Sequence, residues 1–363
     1  MQIGIQDPSW SRSEYLLESL LDASQRATRG AAVFAFATVG GVRLLIEDEV
    51  FAEFLTHGRF ELIVGVDAVT NCSALDRLQA CVNKHPNLSV RAFSNQPYVG
   101  LFHPKMCWFS DRRGGVCFTG SGNLTPGGLR ANYEAFAVTR LDRDQESALD
   151  RRWRSWLRFN SAKLLPLDDA SIRARAGQNI GKEFAGNKHR HGAVMEDGRG
   201  RISAGVVQTP NDAVLIAQIP RSGGRWNQAN FDIATFRGFF GATPGRTQRI
   251  ILTHIGGDGR PTSHEVRPSV AVKSHNYRFE LEAGAGLPYP GRARPIGVFL
   301  RVALRTFRYR LIMPNSPDYD SANQYLKSEC RGEGARMRRK VTTVGAVRRR
   351  AFFRPLGQAP KDS

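Results

Sequence analysis

Two short segments carry the side chains with the most evident chemistry in this 363-residue chain. One is His103-Pro104-Lys105, and the other is Gly120-Ser121-Gly122-Asn123, which Glu134 follows. A histidine and a lysine two positions apart on a strand point to the same face. The Gly-Ser-x-Asn turn offers backbone N–H groups, a hydroxyl and a carboxamide that can hold phosphate oxygens. An imidazole, a fixed cation and neutral donors together suit nucleophilic attack on phosphorus.

Glu134 begins the next predicted strand, from which it could accept a hydrogen bond from His103 and fix the tautomer of the ring. The alternative is that His103 is an ordinary surface histidine beside Pro104. The convergence of five phosphate-competent groups favours a catalytic site. The pair Gly127-Gly128 is typical of an ordinary turn.

The elements around these segments alternate between helix and strand. Helical spacing of apolar residues predicts one helix over 11–26, a second that contains Leu75, Leu78 and Val82, and a third over 144–159. Apolar runs predict buried or half-buried strands at 31–38, 61–66, 88–93, 106–109, 116–119 and 134–138, and Val42 to Ile46 forms a short apolar stretch. This alternation predicts an α/β domain, a mixed sheet flanked by helices, over residues 1–165.

The pattern changes in the second half of the chain. Residues 166–200 are polar and glycine-rich, which predicts a linker. Residues 201–345 show short strands and turns, with helical patterns chiefly at 233–240 and 321–326, so we expect a mainly-β barrel or sandwich. Residues 346–363 are interpreted as a basic tail.

The positive charge is concentrated in that second half. The formal net charge is +19, but residues 1–199 contain 25 Lys and Arg against 22 Asp and Glu, whereas residues 200–363 contain 27 against 11. An offset confined to one half favours a module that binds a polyanion, nucleic acid before an acidic membrane. The end of the chain is densest in arginine and is either a solvated tail or an extension that grips nucleic acid.

Several classes of protein fit the sequence poorly. The longest apolar run, residues 31–46, contains Arg43 and is shorter than the roughly 20 residues of a membrane span. The first ten residues lack the basic start and apolar stretch of a signal peptide. Five cysteines without CxxC spacing predict reduced thiols in place of disulfides or a zinc site. We therefore expect a cytoplasmic protein with no metal and no membrane partner.

The HxK, GSxN and glutamate pattern resembles that of the phospholipase-D-like nuclease superfamily. The resemblance covers residues 10–160 and is closest to metal-independent restriction endonucleases of the BfiI and NgoFVII type, to which the run GSGNLTPGGLRANYE is particularly similar. The resemblance implies that His103 is the nucleophile, that Lys105 and Asn123 bind the scissile phosphate, that Ser121 assists, and that Glu134 orients His103. It implies no cofactor.

One position departs from the superfamily pattern. An aspartate often stands five residues after the lysine, but this chain has Ser110 there and Asp111 one step later. The restriction-enzyme branch commonly lacks that aspartate, so we assign Asp111 no role.

The superfamily chemistry uses two such motifs, one histidine attacking and the other protonating the leaving oxygen, and this chain contains one. The resemblance therefore implies a homodimer that shares one active site. Some relatives require an ATP-driven partner. Because no GxxxxGK[ST] motif occurs here, such a helicase-like subunit would be a separate chain.

Two segments of the second half, RSGGRWNQAN at 221–230 and KSHNYR at 273–278, mix cations with amide and aromatic groups. Arginine reads guanine and Asn or Gln reads adenine in the major groove, while flanking Ser and Lys hold phosphates. The alternative is a pair of polar surface loops.

With RPIGVF, these segments are similar to the plant-B3-like pseudobarrel DNA-binding domain of the same endonucleases, over about 205–314, in which two loops act as arms around DNA. The candidate DNA-binding residues are Arg221, Arg225, Asn227 and Gln228 on one arm and Lys273, His275, Asn276 and Arg278 on the other.

The sequence thus predicts a sequence-specific endonuclease of a restriction system that hydrolyses double-stranded DNA through a phosphohistidine, without metal. Two alternatives stay open. One is a phospholipase-D-like phosphodiesterase of another substrate, which the single motif and the basic β domain disfavour. The other is a DNA-binding protein with an inert nuclease-like half, which would predict a damaged motif.

Overall fold

A computed structural model describes residues 1–10, 13–94, 100–179, 194–196, 202–204, 208–220, 226–243, 245–271, 277–291, 293–330 and 337–357. The chain divides into two compact units, Met1–Ser203 and Ala204–Ser363.

The first unit is built on one mixed eight-stranded sheet. Its strands are β1 (Gln2–Gln6), β2 (Arg29–Phe34), β3 (Arg59–Gly65), β4 (Leu88–Phe93), β5 (Lys105–Asp111), β6 (Gly114–Gly120), β7 (Glu134–Leu141) and β8 (Leu164–Leu165). They stand in the order β1-β7-β6-β5-β2-β3-β4-β8. The pairs β2–β3 and β3–β4 are parallel, and the other neighbours are antiparallel.

Helices flank this sheet. They are α1 (Leu16–Ser24), α2 (Val39–Leu45), α3 (Glu49–His57), α4 (Cys72–Lys84), α5 (Arg143–Phe159) and α6 (Ala170–Gly177), with a π-helical turn at Gly127–Ala131 and a 3₁₀ turn at Ser161–Lys163. Two further short strands, β9 (Val194–Glu196) and β10 (Ile202–Ala204), pair with each other.

Both faces of the central sheet are covered. On one face, Phe54 of α3 packs edge-on against Phe60 of β3 and Phe109 of β5. On the other face, Trp153 of α5 donates from Nε1 to the Glu61 carboxylate of β3 at 2.9 Å. Because neighbouring residues of a strand face opposite sides, Phe60 and Glu61 mark the two faces. The arrangement confirms the predicted mixed sheet flanked by helices.

The start of α2 differs from the sequence-based expectation of a strand over 31–38. Strand β2 ends at Phe34, and Thr38 instead caps α2, its side chain accepting from the Gly41 N–H at 3.2 Å. A threonine in extended conformation before a helix satisfies a free N–H of the first turn. The apolar run 42–46 therefore lies in and just after a helix.

The first unit extends past the boundary predicted at residue 165. Helix α6 is tied to it by an ion pair of Arg173 with Asp76 at 2.7 Å. Asn179 is buried and donates to the carbonyl oxygens of Val66 and Thr70 at 2.9 and 2.8 Å. The part of the predicted linker that precedes residue 180 is thus folded, because polar residues here meet partners on α4 and its neighbouring loop.

The second unit is also built on eight strands. They are β11 (Ala213–Gln218), β12 (Gln228–Phe231), β13 (Gly245–Ile255), β14 (Pro261–Ala271), β15 (Tyr277–Glu280), β16 (Ile296–Ala303), β17 (Thr306–Ile312) and β18 (Arg339–Thr343), in the order β12-β15-β14-β13-β17-β16-β11-β18. Its helices are α7 (Ile233–Gly238), α8 (Tyr319–Glu329), α9 (Val344–Val347) and α10 (Arg354–Gly357), with a 3₁₀ turn at Glu282–Gly284.

This sheet curls so that its two edge strands approach each other. Arg339 of β18 donates to the carbonyl oxygen of Asn230 on β12 at 2.7 Å and pairs with Asp232 at 2.5 Å. Strands β12 and β18 stand at opposite ends of the strand order. Arg339 therefore links the two edges.

The curled sheet has an apolar core on each face. Along β11, Leu215 and Ala217 join one cluster of buried residues, and Val214 and Ile216 join the other. The second cluster includes Phe352, which is fully buried. Residues 344–357, which the sequence assigned mostly to a basic tail, are therefore part of the folded unit, because their apolar side chains complete this core.

None of the helices within the described ranges combines the length and apolar character that a membrane crossing requires. All five cysteines are free thiols, and Cys81, Cys107 and Cys330 are buried.

Candidate active site

The predicted catalytic residues gather at one edge of the first sheet. Strand β5 begins at Lys105, β6 ends at Gly120 and β7 begins at Glu134. Because β5–β6 and β6–β7 are antiparallel neighbours, these three ends lie side by side. The register places Lys105 opposite Phe34, the last residue of β2, so the end of β2 meets the same edge.

His103 and Lys105 contact each other directly. His103 lies in the loop before β5, two residues ahead of Lys105, and not on a strand with Lys105 as the sequence indicated. The Nζ atom of Lys105 lies 3.0 Å from Nδ1 and 3.1 Å from Nε2 of His103, and it donates to the His103 carbonyl oxygen at 3.0 Å. The imidazole itself is exposed, so a large substrate can reach it.

Aromatic contacts hold the His103 loop in place. The preceding residue, Phe102, is buried and stacks on Phe93 of β4 with ring centroids 4.1 Å apart. The His103 ring meets Phe36 edge-on at 5.4 Å. A stacked, buried neighbour restricts the backbone from which His103 projects.

Asn123 is oriented by the loop that follows β2. Its Oδ1 accepts from the Phe36 N–H at 3.2 Å, and the next residue, Leu124, forms an isolated bridge with Ala37. Leu124 is fully buried, which anchors the turn. Because the oxygen of Asn123 is occupied, its NH2 group is the end that can donate to a phosphate oxygen.

Glu134 bonds to Ser121 and Asn132. The Ser121 hydroxyl donates to one carboxylate oxygen of Glu134, and Asn132 Nδ2 donates to the other at 3.4 Å. The Ser121 Oγ also accepts from the Ala135 N–H at 3.2 Å. The resemblance implied that Glu134 orients His103, but here the carboxylate orients the Ser121 hydroxyl, because both sit where β6 ends and β7 begins.

The electrostatics of the site favour the neutral form of the imidazole. Partial burial and the positive charge of Lys105 lower the pKa of His103 below its ordinary value. Partial burial also lowers the pKa of Lys105, and the negative charge of Glu134 opposes that shift. A depressed histidine pKa leaves the ring unprotonated at neutral pH, which is the form that can attack as a nucleophile.

A buried glutamine that sequence reasoning missed fixes the backbone between Asn123 and Glu134. Gln6, the last residue of β1, is fully buried. Its Nε2 lies 3.2, 3.4 and 3.0 Å from the carbonyl oxygens of Gly127, Gly128 and Asn132, and its Oε1 accepts from the Leu16 N–H at 3.2 Å. Gln6 thus fixes the π-helical turn between the catalytic turn and Glu134. A glutamine at the end of a short strand gives no sequence signal of this role.

The glycine pair is more than the ordinary turn that the sequence indicated. A Cβ added at Gly128 would lie 2.3 Å from the backbone nitrogen of Asn123 and 2.5 Å from its carbonyl oxygen. Only a residue without a side chain permits this approach. The same turn is held by buried Arg130, whose guanidinium pairs with Glu18 at 3.1 Å.

Replacing Gly128 with alanine is therefore expected to destabilise the protein by about 1–3 kcal/mol, because the added methyl group must displace the Asn123 backbone. Thermal melting followed by circular dichroism measures the effect. The matched control is Gly238→Ala in α7, where an added Cβ meets no atom within 4 Å. That variant should melt at or above the wild-type temperature, since alanine favours a helix. Equal melting of Gly128→Ala and wild type would contradict the account.

Asp111 lies at the far end of β5 from Lys105. Its carboxylate accepts from the Arg113 N–H in the β5–β6 turn at 2.7 Å. Within the described ranges, no group of three or more His, Cys, Asp or Glu side chains is placed to hold a metal ion.

The structure describes only part of the two predicted DNA-binding arms. Arg221, Arg225, Lys273, His275 and Asn276 lie outside the described residues, as does the side chain of Gln228. Asn227 and Arg278 are half-buried. Arg278 on β15 pairs with Asn230 on β12, three residues beyond Asn227. Asn227 and Arg278 therefore lie along the same antiparallel strand pair, β12 and β15, but roughly 10 Å apart in the strand direction.

No family model matches the chain, and no curated protein matches it. Solved structures to which it is similar include NucT from Helicobacter pylori, with 15% identity and a TM-score of 0.30 over 42% of this chain and 90% of that one. Nuc from Salmonella typhimurium, a phospholipase D family member, has 16% identity and a TM-score of 0.32 over 45% and 94%. The N-terminal domain of Helicobacter pylori LlaJI.R1 has 10% and 0.26 over 36% and 97%. These likenesses are distant, so the function is inferred from the side chains of the site.

Proposed function

We propose that this protein is a phosphodiester hydrolase that cuts double-stranded DNA, a site-specific endonuclease of a restriction system. The observation that carries the proposal is the exposed imidazole of His103 beside Lys105, at the sheet edge that also holds Ser121, Asn123 and Glu134. The likeness of GSGNLTPGGLRANYE to metal-independent restriction endonucleases and the +16 charge of residues 200–363 support DNA as the substrate.

In the first step a ring nitrogen of neutral His103 attacks the scissile phosphorus. A P–N bond forms while the P–O bond to the leaving DNA oxygen breaks, and a second imidazole, which enters the step as the imidazolium, gives its proton to that oxygen. In the second step water attacks the phosphorus and passes its proton to the same second imidazole, and the P–N bond breaks. Lys105 and the Asn123 NH2 group neutralise the non-bridging oxygens through both steps.

The second imidazole would be His103 of another copy of the chain. One chain supplies a single HxK motif, so the attacker and the acid must come from two copies related by a two-fold axis. The exposure of both His103 and Ser121 leaves the site open toward such a copy. A homodimer with one shared active site is thus part of the proposed mechanism.

Recognition of the target sequence is assigned to the second unit. The two polar segments at 221–230 and 273–278 would contact base edges as the arms of a B3-like domain, and their cations would contact phosphates. A separate ATP-dependent, helicase-like subunit is compatible with this scheme, since the chain itself has no nucleotide-binding motif of the GxxxxGK[ST] type.

The proposal is tested by incubating purified protein with diverse plasmid DNA in excess EDTA and mapping the cut ends by sequencing. We expect cleavage at a recurring sequence, because an imidazole nucleophile with a lysine clamp needs no metal-bound water. A control reaction contains Mg²⁺ in place of EDTA and should give the same ends. Cutting that depends strictly on Mg²⁺ would contradict the mechanism. Recurrent binding without cutting would favour the DNA-binding alternative.

A further inference from the structure

Residues 344–357 form a basic segment mounted firmly on the second unit. Val347, Phe352 and Leu356 are fully buried in the core beneath it. Arg310 donates to the Phe352 carbonyl oxygen at 2.9 Å, and Gln208 donates to the Leu356 carbonyl oxygen at 3.0 Å. The backbone of this segment is therefore fixed at two points beyond its apolar contacts.

The outward side of the segment carries arginine and no acid. Its arginines, all exposed, are Arg348, Arg349, Arg350 and Arg354. Just upstream, Arg339 pairs with Asp232 at 2.5 Å and Lys340 pairs with Glu329 at 2.8 Å. Within the part of the chain that the structure describes, no carboxylate pairs with any of the four arginines, although Arg350 lies over the Tyr325 ring at 5.7 Å. The described carboxylates thus neutralise Arg339 and Lys340, whereas Arg348, Arg349 and Arg354 face outward with their charge available to an external anion.

We infer that residues 344–357 are a DNA-backbone contact separate from the two predicted arms, in which Arg348, Arg349 and Arg354 bind phosphates of the duplex. The inference rests on the proposed function, since it takes DNA as the partner. A planar guanidinium group can bind two oxygens of one phosphate through two parallel hydrogen bonds. The three arginines lie within seven residues of one another, and a duplex carries one negative charge per about 1.7 Å of its axis, so neighbouring phosphates can each meet one guanidinium group.

The apolar residues of the segment favour a nucleic acid over a membrane. A segment that binds a lipid surface exposes large apolar side chains that enter the headgroup region. Here Phe352, Phe353 and Leu356 are buried in the protein core. The exposed surface between residues 344 and 357 therefore offers charge without an apolar anchor.

The test compares two triple variants of the full chain, both made in a His103→Ala background so that DNA is bound and not cut. The first carries Arg348→Gln, Arg349→Gln and Arg354→Gln, and it keeps Arg350 with its Tyr325 contact. The matched control carries Arg112→Gln, Arg113→Gln and Arg151→Gln, which remove the same charge from exposed positions of the first unit. Fluorescence anisotropy with a random 30-base-pair duplex gives the dissociation constant across a salt series.

We expect the slope of log affinity against log salt to become shallower by about 2–3 in the first variant, near 0.9 for each phosphate that the protein no longer binds, and by less than 1 in the control. Equal slopes in the two variants, with unchanged melting temperatures, would overturn the inference. So would an unchanged DNA slope combined with loss of binding to phosphatidylserine vesicles. If the His103→Ala parent itself binds no duplex, the proposed function fails as well.

Discussion

Replacing His103 with alanine is expected to lower the rate of DNA cleavage by roughly 10³-fold or more while leaving duplex affinity nearly unchanged. The alanine removes the nucleophile, and the neighbouring Lys105 and Ser121 are oriented as donors that cannot take its place. Binding is expected to persist because the basic excess lies in residues 200–363. Single-turnover cleavage of plasmid and anisotropy with a duplex measure the two quantities.

The matched control for this substitution is His57→Ala. His57 is also exposed, but it ends α3 just before β3 starts, at the sheet edge opposite the candidate site. It should cut DNA at the wild-type rate. Residual cutting by the His103 variant above a few per cent, or a large loss of its DNA affinity, would contradict the division of labour between the two units.

A mixed dimer of wild-type and His103→Ala chains is expected to cut at about 1% of the wild-type rate or less. The shared site then holds one imidazole where the chemistry requires an attacker and an acid, and a general acid contributes about 10²–10⁴-fold to such a step. Chains carrying two different affinity tags, co-expressed and purified through both, provide the mixed dimer for a plasmid assay.

The tagged wild-type dimer, purified in the same way, is the control and should be fully active. Cutting by the mixed dimer at half the wild-type rate would show that each chain works alone. Full activity of a protein that light scattering finds monomeric would contradict the shared site equally.

The layers of the first unit and the placement of its motif residues could be predicted from the sequence. Apolar runs mark β3 and β4, and helical spacing marks α5. The HxK segment precedes β5 and the GSxN segment follows β6, so both lie at the same edge of the sheet because these two strands are antiparallel neighbours. These signals are local in the chain. The spacing of two residues also indicated that His103 and Lys105 act together, although His103 lies in the loop before β5 and not on the strand.

The contacts that depend on distant residues could not be predicted in this way. Gln6 and Gly128 are more than a hundred positions apart, and neither residue type signals that one fixes the turn containing the other. Glu134 meets Ser121 because β6 and β7 pair, so its partner follows from register and not from spacing.

The boundaries of the folded units were missed for a related reason. Residues 166–179 and 344–357 are rich in polar or basic side chains, and their composition is typical of linkers and tails. Asn179 and Phe352 are nevertheless buried, because each completes a core built by other parts of the chain. Composition reports the average character of a segment, whereas burial depends on the few side chains that face inward.

The covalent phosphohistidine is tested most directly by the stereochemistry of cleavage at phosphorus. A duplex that carries a phosphorothioate of one defined configuration at the mapped cut site is cleaved in ¹⁸O-labelled water, and the configuration of the product is determined. Each in-line displacement inverts phosphorus, so attack by His103 followed by attack of water predicts net retention. Net inversion would show that water attacks DNA directly, and it would contradict the role of His103 as the nucleophile.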